Sequence, residues 1–144
     1  MSQENVEVFE RGVEAYNLRD IDVFLEDLDA DVEWQPALQV LLGGEATVYR
    51  GHQGVRDWFR DVDAAFAEFH VEVAEIRDLG DRLVASGRMR ARGRASGAEI
   101  DSPLAYLIEF RDGKVCRIRS FLDRTEALEA VGLSEPAPQG GENP

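Results

Sequence analysis

The chain alternates between two hydrophobic rhythms. Near the start, Val6, Phe9, Val13 and Tyr16 recur at spacings of three and four, which places them on one face of a helix. Asn17-Leu18-Arg19-Asp20 interrupts that pattern, and Asp20 can cap a second, shorter helix carrying Val23, Phe24, Leu25 and Leu28. Asp31-Val32-Glu33-Trp34-Gln35 then alternates up to Pro36, which predicts a short strand. Residues 37–48 contain Gly43-Gly44 and no period, and are expected to form a loop, with a flap over a site as one option. Tyr49-Arg50-Gly51-His52 is the predicted entry turn of a third helix, with a stripe of Val55, Trp58, Phe59, Val62, Phe66 and Phe69.

From Phe69 the period falls to two. The alternation slips at Ala74-Glu75, which predicts a β-bulge. A strand over residues 83–94 sets Arg88, Arg90, Arg92 and Arg94 on one face, opposite Gly87, Met89, Ala91 and Gly93. The next strand sets Ile100, Leu104, Tyr106, Ile108 and Phe110 together, and Asp112-Gly113 predicts a hairpin. The last strand places Cys116, Ile118, Ser120 and Leu122 on one face. Asp123-Arg124-Thr125-Glu126 matches a capping box that opens a short helix ending near Gly132. Residues 1–133 are expected to form one domain, and the Pro/Gly-rich residues 134–144 a flexible tail. Helices first and a meander of strands afterwards predict an α+β fold with the helices on one face of the sheet. The bulge and the strand glycines give that sheet a means to curl into a cone around a cavity.

Composition narrows the function more by exclusion than by assignment. The net charge of −13 argues against a nucleic-acid partner. The strand region over residues 82–119 is nonetheless net positive, which predicts cross-strand charge pairing rather than an anion site. No apolar run is long enough to span a membrane, and the opening Met-Ser-Gln-Glu-Asn has no signal-peptide character. The single cysteine, Cys116, fits a reducing, cytoplasmic setting. Two separated histidines and one cysteine do not make a standard zinc site, and no nucleotide fingerprint is present, so no metal and no cofactor are expected.

Strand parity nominates a pocket lined by Trp34, Tyr49, Trp58, Phe59, Met89, Tyr106, Ile118, Ser120 and Leu122. Tyr106 and Ser120 stand out because each puts a hydroxyl on an apolar face, and buried hydroxyls need partners. His52, at the entry to the third helix, is a candidate proton carrier.

The order of these elements, with Tyr49-Arg-Gly-His-Gln-Gly-Val-Arg, Phe110-Arg-Asp-Gly-Lys-Val and Asp123-Arg-Thr-Glu-Ala-Leu-Glu-Ala-Val-Gly-Leu133, resembles the SnoaL-like branch of the nuclear-transport-factor-2-like superfamily. The resemblance implies a cystatin-like α+β barrel: a cone-shaped, strongly curved antiparallel or mixed sheet around three N-terminal helices, with a short C-terminal helix. It also implies a pocket for a small, largely apolar molecule and a homodimer through the outer sheet face.

Activity is left open, because the superfamily holds isomerases, cyclases, epoxide hydrolases, dehydratases and non-catalytic adaptors. Ketosteroid isomerases place a general-base Asp where Gln35 stands, and an amide cannot take a proton. Their first-helix tyrosine matches Gly12, and their second oxyanion donor falls near Tyr106. Limonene epoxide hydrolases pair an Arg with an Asp where only Arg88 and Arg90 stand. SnoaL-type cyclases use a late-strand acid near Asp123, a residue that the capping box also explains. Cofactor-independent cyclisation, isomerisation, dehydration or hydrolysis by Tyr106, His52 and Asp123 remains one expectation. A non-catalytic binding or interaction module of the same fold is the other.

Overall fold

The computed structural model describes residues 2–37 and 47–132. The loop expected over 37–48 falls mostly outside them, and the tail expected over 134–144 falls wholly outside. The elements run α1 (Ser2–Asn17), α2 (Ile21–Glu26), β1 (Leu28–Gln35), β2 (Tyr49–Arg50), α3 (Gly51–Ala65), β3 (Phe66–Asp78), β4 (Arg82–Gly93), β5 (Glu99–Arg111), β6 (Lys114–Phe121) and α4 (Arg124–Ala130). The strands form one sheet in the order β2-β1-β6-β5-β4-β3. β1 runs parallel to β6, and the other neighbours are antiparallel. This is an α+β fold with a curled, unclosed mixed sheet, N-terminal helices and a short C-terminal helix.

The curl has a local cause. The register between β3 and β4 shifts between Val73 and Glu75, where the sequence predicts a bulge. Gly87 faces that bend, and a Cβ there would lie 1.8 Å from the Glu72 carbonyl oxygen. Only glycine lets the two backbones approach so closely.

Both ends of α1 are pinned. Asn5 donates to the Gly80 carbonyl at 3.1 Å. At the other end, the Asn17 side chain bonds both the N–H and the carbonyl of Val71, as a neighbouring strand would. Asp20 accepts from the Val23 N–H and so caps α2.

Three expectations need correction. Phe66 opens β3 rather than closing the third helix, because a second register shift, between Phe66 and Glu68, buries Phe66 and Phe69 together. A bulged strand thus imitates helical spacing. Leu28 opens β1 rather than closing α2. The β5–β6 register shifts at Glu109/Phe110, so Val115 is buried while Cys116 turns its thiol towards the Glu109 carbonyl. The three N-terminal helices share the concave face, as expected, and the short C-terminal helix takes the other. Ala127 and Leu128 of α4 pack against Val84, Ala105 and Leu107, on the opposite side of the sheet from the main core.

The main core lies on the concave side, between α1, α2, α3 and the inward residues of the sheet. The arginine ladder faces the other way. Arg88 pairs with Asp101, Arg90 with Glu72 and Arg92 with Glu68.

Candidate functional site

The main core does not fill the cone completely. A cavity of about 60 Å³ remains within it. One wall is α1, presenting Phe9, Gly12 and Tyr16, and Phe24 of α2 closes in beside it. Trp58 comes from α3 and Trp34 from β1, while Tyr106, Ile108, Val115 and Ile118 form the sheet floor. The space is smaller than an apolar cavity that holds benzene, roughly 150 Å³. Phe9 and Val13 also line an external groove of about 420 Å³, bounded by Val73 to Ile76 at the bulge. Phe9 and Val13 are thus shared by the groove and the cavity.

Three polar groups interrupt the apolar lining on the helix and strand walls. Trp58 donates from Nε1 to the Tyr16 hydroxyl at 3.2 Å. Burial pushes the Tyr16 phenol well up, only partly offset by nearby Arg19 and by the Trp58 N–H. Arg19 adopts a left-handed backbone (φ 58°) and donates to the carbonyls of Tyr16 and Phe69. Its guanidinium sits 5.0 Å from the centre of the Tyr16 ring. Burial, then proximity to Tyr16, likewise raises the Tyr106 phenol. Both phenols are thus protonated at neutral pH and able to donate. No described residue hydrogen-bonds the Tyr106 hydroxyl. The third group is the Trp34 indole N–H, which is buried without a partner among the described residues.

Asp27 is the one charged residue in the described lining, and Arg11 holds its carboxylate at 3.0 Å. No group of three or more His, Cys, Asp or Glu side chains among the described residues could hold a metal.

Of the residues nominated from sequence, Trp34, Trp58, Tyr106 and Ile118 meet at this cavity. The others lie elsewhere. Tyr49 packs on Trp58 and donates its hydroxyl to Asp61 at 2.8 Å. Phe59 is buried behind the wall, against Tyr16 and Phe24. Met89 is 1% exposed within the core of β4. The Ser120 hydroxyl accepts from the Ala37 N–H at 2.6 Å, holding the chain where it leaves β1. Leu122 follows the end of β6 and is half-buried. His52 donates from Nε2 to the Leu28 carbonyl at 3.0 Å, tying α3 to β1. Asp123 accepts from the Glu126 N–H at 2.9 Å and caps α4.

The sequence reading overlooked Tyr16 and Gly12 as lining residues. Tyr16 carries the same signal as Tyr106, a hydroxyl on an otherwise apolar face, but sits within a helical stripe that reads as plain core. Gly12 lines the cavity where the isomerase tyrosine would stand, and Gln35 is absent from the lining.

Solved structures define the class. An NTF2-like protein of unknown function from Burkholderia pseudomallei superposes with a TM-score of 0.75 at 22% identity, covering 90% of this chain and 98% of that one. TerC, co-crystallised with polyporic acid, gives a TM-score of 0.74 at 23% identity, covering 83% and 92%. A putative SnoaL-like polyketide cyclase from a Jannaschia species gives 0.72 at 21% identity, covering 90% of each chain. At these identities the likeness shows the fold, which is NTF2-like. The model of the SnoaL-like domain matches residues 9–118, and the chain belongs to that family. No curated protein matches the sequence. No helix among the described residues is long and apolar enough to cross a membrane.

Proposed function

We propose that the chain is a pocket protein that binds a small, largely apolar molecule in the cavity between α1 and the sheet. The observation that carries this reading is an apolar chamber whose walls hold protonated donors, Tyr16 and Tyr106, instead of a closed core. Pockets for small molecules combine such linings with a few polar groups. TerC, of the same fold, was crystallised with polyporic acid, a precedent for an organic ligand in this architecture. The lining offers donors and one arginine-held carboxylate, a set that favours a binder or carrier over an enzyme that abstracts protons.

Thermal unfolding with increasing cyclopentanone tests the reading. A ligand of the folded state raises Tm with its concentration. A Gly12→Leu variant should fold, because a Cβ at Gly12 meets only Phe24 Cε1, at 3.9 Å, while the rest of the leucine fills the chamber. The wild type should respond and the variant should not. Equal responses, or none from the wild type, would remove the cavity as the binding site.

A further inference from the structure

Resting on that reading, we infer that the Arg11–Asp27 ion pair is a latch across the mouth of the cavity, and that the ligand enters along the seam between α1 and α2. The pair joins the inside of the molecule to the outside. Asp27 lines the cavity, and its carboxylate accepts from Arg11 Nε at 3.0 Å. Arg11 itself lies outside the lining, with half of its side chain exposed.

The lining around the pair is where the cavity comes nearest to solvent. The residues that the sheet contributes, Val71, Ile108, Val115 and Ile118, are buried. Those along the seam are half-buried: Val8 and Gly12 of α1, Phe24 of α2 and Asp27 just beyond it. Gly12 leaves a notch between the two helices, because a Cβ there would meet only Phe24 Cε1, at 3.9 Å.

The seam is also the side on which α1 is held more loosely. Towards the strands, Asn5 and Asn17 fix both its ends by bonds to the backbone of Gly80 and Val71. Towards α2, the Arg11–Asp27 pair acts alone: among the described residues, no other side-chain hydrogen bond joins α1 to α2, Asp27 or β1. A half-exposed ion pair is weak and is screened by salt. It therefore breaks and re-forms readily while the asparagine bonds keep the helix in place. With the pair broken, the way past Gly12 is open. The groove is the rival route, past Phe9 and Val13. A ligand using that route would not respond to the loss of Arg11.

The test measures cyclopentanone binding by titration, and its exchange by NMR relaxation dispersion, on the wild-type chain and on Arg11→Gln. Glutamine removes the charge and suits an exposed helical position, so the variant should fold. Association and dissociation should each quicken about two- to fivefold, the effect of losing an exposed ion pair. Their ratio, and with it the affinity, should hold, because a latch acts on the path and not on the bound state. High salt should quicken exchange in the wild type and leave the variant unmoved. Arg92→Gln breaks a comparable pair with Glu68 on the convex face and should keep wild-type rates. Unchanged rates in Arg11→Gln, an affinity change carried by dissociation alone, or an equal rise in Arg92→Gln would overturn the latch and leave the pocket standing. No binding to the wild type would overturn the pocket reading together with the latch.

Discussion

The two faces of the sheet treat polar groups in opposite ways. On the convex face, charge is met by charge: Arg88, Arg90 and Arg92 each find a carboxylate on the adjoining strand, and Arg117 and Arg119 share Glu109. The Arg119 Nε is the exception, enclosed and without a hydrogen-bond partner among the described residues. Where that face is apolar, α4 covers it. On the concave face, few polar groups enter, and one of them, the Trp34 N–H, is buried with no partner among the described residues. A satisfied face serves stability. A face that leaves free space between apolar side chains has room for a ligand.

The largest expected effect lies where the two faces share a hinge. Gly87→Ala drives a methyl into the Glu72 carbonyl and should cost about 3 kcal/mol, seen as a lower urea midpoint. A wild-type midpoint would mean that the bulge does not fix the curl. On the convex face, Leu128→Ala should cost about 2–4 kcal/mol, because Leu128, on α4, is fully buried against the sheet.

The concave face should separate its two phenols. Tyr16→Phe orphans the Trp58 N–H and should cost about 1 kcal/mol, whereas Tyr106→Phe removes an unpartnered hydroxyl and should cost almost nothing. Equal costs would contradict the hydrogen-bond assignment.

The same phenols set a pH dependence. Their folded pKa values lie above the unfolded value of about 10, so the folded state holds their protons more tightly. The stability they contribute is fully present below about pH 10. It falls as the unfolded chain ionises above that, by up to about 1.4 kcal/mol per pH unit per phenol. Phenolate absorbance that rose for Tyr16 and Tyr106 before unfolding would refute this. The smallest effect belongs to the convex ladder. Arg90→Ala should change stability by about 0.5 kcal/mol or less, and less again in high salt, because its partner Glu72 is half exposed.

How much of this was legible in the sequence follows from what a linear period records. The helical stripe through Phe9 and Tyr16, the bulge after Val73, the turn at Asp112-Gly113 and the cap at Asp123 are local signals, and each has its structural counterpart. Parity failed where a bulge reset it, as at Cys116 and Phe66. It also could not tell one buried face from two: Ala105 and Leu107 alternate with Leu104 and Ile108, and the role of α4 as a second cover depends on tertiary packing. The site was half legible for the same reason. Trp34, Trp58, Tyr106 and Ile118 follow from periodicity. Gly12 has no side chain to signal, and the open Trp34 N–H depends on the absence of a partner, which no spacing encodes.

The central claim is that the concave side encloses apolar free space able to take a guest. Crystals of the chain pressurised with xenon test it most directly, because dry apolar cavities take up xenon while hydrated polar ones hold ordered water. The account predicts a xenon atom bounded by Gly12, Tyr16, Trp34 and Ile118, lost in Gly12→Leu. A chamber closed by its own side chains, or filled by ordered waters that xenon does not displace, would contradict it.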